Sequence, residues 1–113
     1  MIDLLIAMQK KKLGILLSTP PSHPNLSTVT RLCEEGLRSD VDVYLYLIDE
    51  GVKSLTDHQL LGLAKTGAKL FACAYGCQQQ GVPTGDLDPN IQLCGLVVLS
   101  NIINGCDRFV AFN

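Results

Sequence analysis

Short apolar runs alternate along this chain with stretches whose apolar positions recur every three or four residues, the signature of strands alternating with helices. Residues 12–17, Lys-Leu-Gly-Ile-Leu-Leu, predict a buried first strand that empties into Ser18-Thr19-Pro20-Pro21. Leu26, Val29, Thr30, Leu32, Cys33 and Leu37 then recur at helical spacing, with Asn25 or Ser27 in position to cap the helix. Residues 41–48 are rich in β-branched and aromatic side chains, and the last of them are apolar on both faces, as a covered parallel strand requires. Asp49-Glu50-Gly51-Val52 predicts a turn, residues 57–66 a helix stopped by Gly67, and residues 69–73 a third strand. A short helix follows over 74–80 and ends at Gly81, then a polar, turn-rich connection over 83–89. Residues 91–93 predict a very short strand, 95–103 a helix apolar around much of its circumference, and 108–112 a terminal strand.

Strands alternating with helices predict an α/β domain whose parallel sheet is covered by helices on both faces. With 113 residues, 47% of them hydrophobic, the chain suffices for one core and not for two ordinary domains. Residues 12–113 are expected to form that domain and residues 1–11 an N-terminal extension. Charged residues are only 18% of the chain, against about a quarter in ordinary soluble domains. Self-association is one way to cover the apolar surface this leaves, and a well-buried parallel sheet is another.

Charge removes several classes of function. The net charge is -2, and the one basic cluster, Lys10-Lys11-Lys12, lacks the aromatic interleaving of a nucleic-acid surface. The apolar residues before it are too few to span a bilayer, and they precede the basic run where a secretory signal would follow it. Five cysteines at 33, 73, 77, 94 and 106 make an odd, irregular set unlike a disulfide framework or a zinc module. No metal or organic cofactor is expected, and a reducing, cytoplasmic compartment fits this cysteine usage.

Cys73 is the candidate for chemistry. It ends the third strand at the carboxyl edge of the sheet, where α/β folds collect ligands, and directly precedes a helix. Amide donors and the helix dipole at such a position favour a thiolate, which is the nucleophile. The competing reading is a small buried hydrophobe. Cys77 follows in a CxxxC spacing, where it is either local packing or a second redox thiol. Cys33 on an apolar helical face and Cys94 beside another apolar run read as packing residues. Ser18, Thr19, His23 and Asp49 reach the same sheet edge by topology, Tyr75 and Gln78 flank the candidate thiol, and these six are the candidate substrate-binding residues. His23 is either an ordinary loop residue or a base for that thiol.

Residues 12–17, Tyr44 to Val52, residues 70–82, and residues 95–112 with Cys106-Asp107-Arg108 before the last strand, resemble the DsrE/DsrF-like family. The resemblance runs over nearly the whole chain from residue 12. It implies a three-layer α/β/α sandwich with a five-stranded, mainly parallel sheet, assembly into trimers or hexamers, and, in sulfur-carrying members, a cysteine after the third strand that accepts persulfide sulfur. That cysteine matches Cys73. Two departures stand out: relay members often carry arginine where this chain has Gln80, and Cys77 is additional to a single relay cysteine. Three functions follow as expectations. The first is a sulfur carrier or sulfurtransferase-like protein working between donor and acceptor proteins. The second is a Cys73/Cys77 dithiol redox module, and the third a non-catalytic oligomeric small-ligand or interaction protein.

Overall fold

The computed structural model describes residues 10–113, so most of the expected extension, residues 1–9, lies outside the described residues. Five strands, β1 (Lys12–Leu17), β2 (Asp42–Leu47), β3 (Lys69–Cys73), β4 (Ile91–Cys94) and β5 (Arg108–Phe112), form one sheet in the order β4-β3-β2-β1-β5. Every pairing is parallel. The helices are α1 (Asn25–Arg38), α2 (His58–Lys65), α3 (Ala74–Gln80) and α4 (Leu96–Gly105), and a 3-10 segment spans Asp49–Thr56.

Three successive crossovers step in one direction across the sheet, which puts their connecting segments on one face. There α1, the 3-10 segment, α2 and α3 bury the larger core, including Ile15, Val29, Cys33, Leu45, Leu47, Val52, Leu60 and Cys77. The last crossover returns past β1 and carries α4 to the other face, over a smaller cluster centred on Tyr46, Cys73 and Ile102. The result is the three-layer α/β/α sandwich expected from the strand–helix alternation. Alternation along β3 sorts its side chains cleanly: Leu70 and Ala72 enter the larger core, while Phe71 and Cys73 face the α4 side.

One helix is a thin cover for five strands. Only Ile102 of α4 is buried, while Leu96 is 61% and Val97 76% exposed. This explains why the α4 sequence is apolar almost all round: one side rests on the sheet and the other is bare.

The element boundaries differ from expectation where local chemistry differs. Neither Asn25 nor Ser27 caps α1; the cap position is Pro24, without a side-chain bond, and the Asn25 N–H donates instead to His23 Nδ1 at 3.0 Å. The turn expected after β2 is a longer 3-10 segment. Asp57 caps α2 by accepting the Leu60 N–H at 3.0 Å. Helix α3 ends at Gly81, whose φ of 67° is the left-handed conformation a helix stop requires.

Candidate functional site

The carboxyl ends of β2, β3 and β4 open onto a cleft of about 330 Å3 lined by Ile48, Asp49, Cys73, Tyr75, Gly76, Gly95 and Leu96. At roughly 30 Å3 per water, it has room for about ten solvent molecules, and so for an added sulfur atom and an incoming thiol. A larger cavity of about 440 Å3 beside Val82 and Leu87 has no cysteine or histidine in its lining.

Cys73 forms the floor. It caps α3, and its Sγ accepts the Gly76 N–H at 3.4 Å. The residue is 5% exposed and lines the cleft. Gly76 packs in this corner: a Cβ on it would stand in ordinary contact, 3.4 Å from both the Asp49 nitrogen and the Cys73 Cβ. Asp49 holds a left-handed backbone with φ 51°, uncommon outside glycine, as the chain leaves β2 for the 3-10 segment.

Of the other residues singled out from sequence, Asp49 and Tyr75 line the cleft with Cys73, and Tyr75 is 68% exposed at its mouth. The rest do not line it. Ser18 donates to Asn113 Oδ1 at 2.9 Å, tying β1 to the chain end. Thr19 Oγ1 accepts from the Asn25 side chain at 3.3 Å. His23 is exposed, with Nδ1 engaged by the Asn25 amide. Gln78 is an exposed residue of α3. Cys77 is fully buried in the core on the other face of the sheet. Burial pushes its thiol pKa up, and proximity to Cys73 adds to the shift.

A residue that the sequence pattern assigns to packing stands beside Cys73 instead. Cys94 is its register partner across the β3–β4 pairing, and both face the α4 side. Its Sγ donates to the Ala72 carbonyl at 3.8 Å. Burial raises the Cys94 thiol pKa, and a hydrogen bond with the Tyr46 hydroxyl works against that rise. Tyr46, fully buried, donates to the Gly95 carbonyl at 3.0 Å; burial first, then the two neighbouring thiols, raise its own pKa. The signal in the sequence is that β3 and β4 both end in cysteine, visible once β4 is extended from Leu93 to Cys94.

Among the described residues no group of three or more His, Cys, Asp or Glu side chains is arranged to hold a metal ion, and no helix is long and apolar enough to cross a membrane.

No family model matches the sequence, and no curated relative matches it. Solved structures do. The ychN protein from E. coli superposes with a TM-score of 0.77 at 18% identity, over 92% of this chain and 100% of that one. The chain shares the fold of that protein. The conserved protein of unknown function BT1422 from Bacteroides thetaiotaomicron matches with a TM-score of 0.65 at 18% identity, over 90% of this chain and 95% of its own. MTH1491 from Methanobacterium thermoautotrophicum, also of unknown function, gives 0.63 at 16% identity, over 90% and 99%. Identities this low speak for the shared fold alone, so the chemistry has to be argued from the cleft.

Proposed function

We propose that this protein is a sulfur carrier of the sulfurtransferase type, with Cys73 as the residue that holds the sulfur. The observation that carries the reading is the Cys73 sulfur at the floor of an open cleft, accepting the Gly76 amide. A backbone donor aimed at the sulfur stabilises negative charge there, as a nucleophilic thiolate requires. The Cys73 thiolate attacks the terminal sulfur of a donor persulfide, the donor's S–S bond breaks, and the donor leaves as a thiolate. An acceptor thiolate then attacks the outer sulfur of Cys73–S–SH and restores the Cys73 thiolate. Neither step needs a metal or an organic cofactor.

The donor and acceptor are proteins whose docked cysteine side chains reach the Cys73 sulfur through the cleft. Working in a cytoplasmic compartment, the chain assembles into a trimer or hexamer that covers the apolar face of α4. Residues 12–113 act as the one functional domain. Asp49 and Tyr75, at the rim, contact the docked partner.

Intact-mass analysis after exposure to a persulfide donor tests the reading. A gain of about 32 Da on the wild type, mapped to Cys73 and lost in Cys73→Ser, is expected. A folded wild type that gains no mass at Cys73 under conditions that load an established carrier overturns it.

A further inference from the structure

The strand register sets two cysteines side by side at the cleft. Cys73 and Cys94 are the last residues of neighbouring parallel strands and are partners in register. Register partners point to the same face, with Cα atoms about 4.8 Å apart, inside the span of roughly 4.4–6.8 Å that a disulfide bridges. Both side chains lie on the α4 side against the Tyr46 hydroxyl. The other three thiols are placed elsewhere. Cys33 and Cys77 are fully buried on the opposite face of the sheet. Cys106 follows the far end of α4, whose ten residues separate it from Cys94 by about 15 Å.

We infer that Cys94 is the resolving thiol for Cys73: the pair closes to a disulfide and thereby releases a sulfur held on Cys73 as hydrogen sulfide. The release step rests on the sulfur-carrier reading, whereas the pairing of the two thiols rests on the strand register. The Cys94 thiolate attacks the inner sulfur of Cys73–S–SH. The inner–outer S–S bond breaks, the outer sulfur leaves with the electron pair, and it takes up the proton that Cys94 gave up. Cys73–S–SH plus Cys94–SH thus become Cys73–S–S–Cys94 plus one molecule of hydrogen sulfide. The sulfane sulfur is itself the oxidant and is reduced to sulfide, so no external acceptor of electrons takes part. An external dithiol then reduces the bridge and restores both cysteines.

Closure needs little displacement, because the strand spacing already lies inside the Cα span of an ordinary disulfide, and the bridge reopens by thiol–disulfide exchange. Movement is cheapest at this point: both strands end here, and the following Gly95 has nothing within 4 Å of where a Cβ would stand. The device empties the carrier when no acceptor is docked, and the departing strand end reshapes the cleft that an acceptor enters.

Two treatments test the inference. Protein loaded with inorganic polysulfide and freed of excess is followed by intact mass, peptide mapping and sulfide release. The wild type is expected to lose its added 32 Da or so and settle about 2 Da below the reduced protein, with sulfide evolved and a Cys73–Cys94 linked peptide. Cys94→Ser and Cys94→Ala, each confirmed folded by circular dichroism, are expected to hold the added sulfur about tenfold longer. Equal lifetimes, or a bridge to another cysteine, overturn the inference. Diamide, which removes two electrons and two protons from a dithiol, is applied separately to unloaded wild type. It is expected to give the same linked peptide, and its failure to do so overturns the pairing. A diamide bridge in the wild type, with no polysulfide adduct on Cys94→Ser and no sulfide evolved by the wild type, overturns sulfur carriage and leaves the thiol pair standing.

Discussion

Gly51 packs so closely beneath Leu17 that a Cβ on Gly51 would stand 2.0 Å from the Leu17 carbonyl oxygen. That oxygen already accepts the Ile48 N–H at 3.1 Å, and the Gly51 N–H donates to the Ile48 carbonyl at 2.9 Å. The 3-10 segment is therefore clamped to the end of β1 by backbone on both sides, and the clamp fixes Asp49 at the cleft.

Gly51→Ala is expected to lower stability by more than about 2 kcal/mol, because the obstacle is backbone that cannot rotate away. Gly85→Ala is the control: nothing lies within 4 Å of its Cβ position, and its change should fall within about 0.5 kcal/mol. Denaturant midpoints measure both. Equal midpoints for the two variants would show that the segment relaxes freely.

Tyr46→Phe probes the group shared by the two cleft thiols. The buried hydroxyl donates to the Gly95 carbonyl and holds the Cys94 thiol pKa below where burial alone would put it. Removing it is expected to cost about 1 kcal/mol and to raise the Cys94 pKa further. The pH dependence of Cys94 alkylation, read by peptide mass, should move to higher pH in the variant. A shift to lower pH would show that the hydroxyl does not favour the thiolate.

Much of this architecture is legible in the residues, and the exceptions have physical causes. The bounds of β1, β3, α3 and β5 match expectation because apolar runs and the Gly81 stop announce them locally. The segment after β2 reads as a turn because Asp49-Glu50-Gly51 has turn chemistry; its continuation to Thr56 depends on burying Val52 and Leu55 against the sheet. Cys73 stands out in the sequence because strand and helix meet at one residue. Cys94 does not, since its importance lies in a register set by strands about twenty residues apart, which no local pattern encodes. The opposite facing of Cys77 is hidden for a related reason: CxxxC spacing suggests proximity, while the strand-to-helix junction sends the two side chains to different faces.

Cys33 offers a test of burial by pH. Desolvation, with a smaller push from Glu34, raises its thiol from an ordinary 9.0 to about 12. The folded state therefore keeps a proton that the unfolded chain gives up. Below pH 9 or so both states are protonated and the contribution is fully present. Between about 9 and 12 it falls by about 1.4 kcal/mol per pH unit. Cys33→Ala is expected to lower stability overall through the cavity it leaves, and to flatten that alkaline decline. Urea midpoints measured at intervals from pH 8 to about 11 compare the slopes; parallel slopes for variant and wild type would assign the decline to other groups.

The bare side of α4 bears on assembly. Leu96, Val97 and Ile103 project from it, 61%, 76% and 45% exposed, and the exposed Leu93 and Val110 add to the apolar surface on the edge strands β4 and β5. A carboxylate placed there costs nothing while the position stays in water, but must be desolvated if a second copy covers it. Val97→Asp is thus expected to leave the thermal transition of the isolated subunit intact while shifting sedimentation from the proposed trimer or hexamer to monomer. Gln79→Asp, on the exposed side of α3, should leave the assembly unchanged. Because Leu96 also lines the cleft beside Cys73, a copy seated on this face would form part of the wall past which a donor reaches the sulfur. Dissociation by Val97→Asp should then alter the rate of Cys73 loading as well as the mass of the particle. An unchanged sedimentation coefficient would exclude this face from the subunit contact.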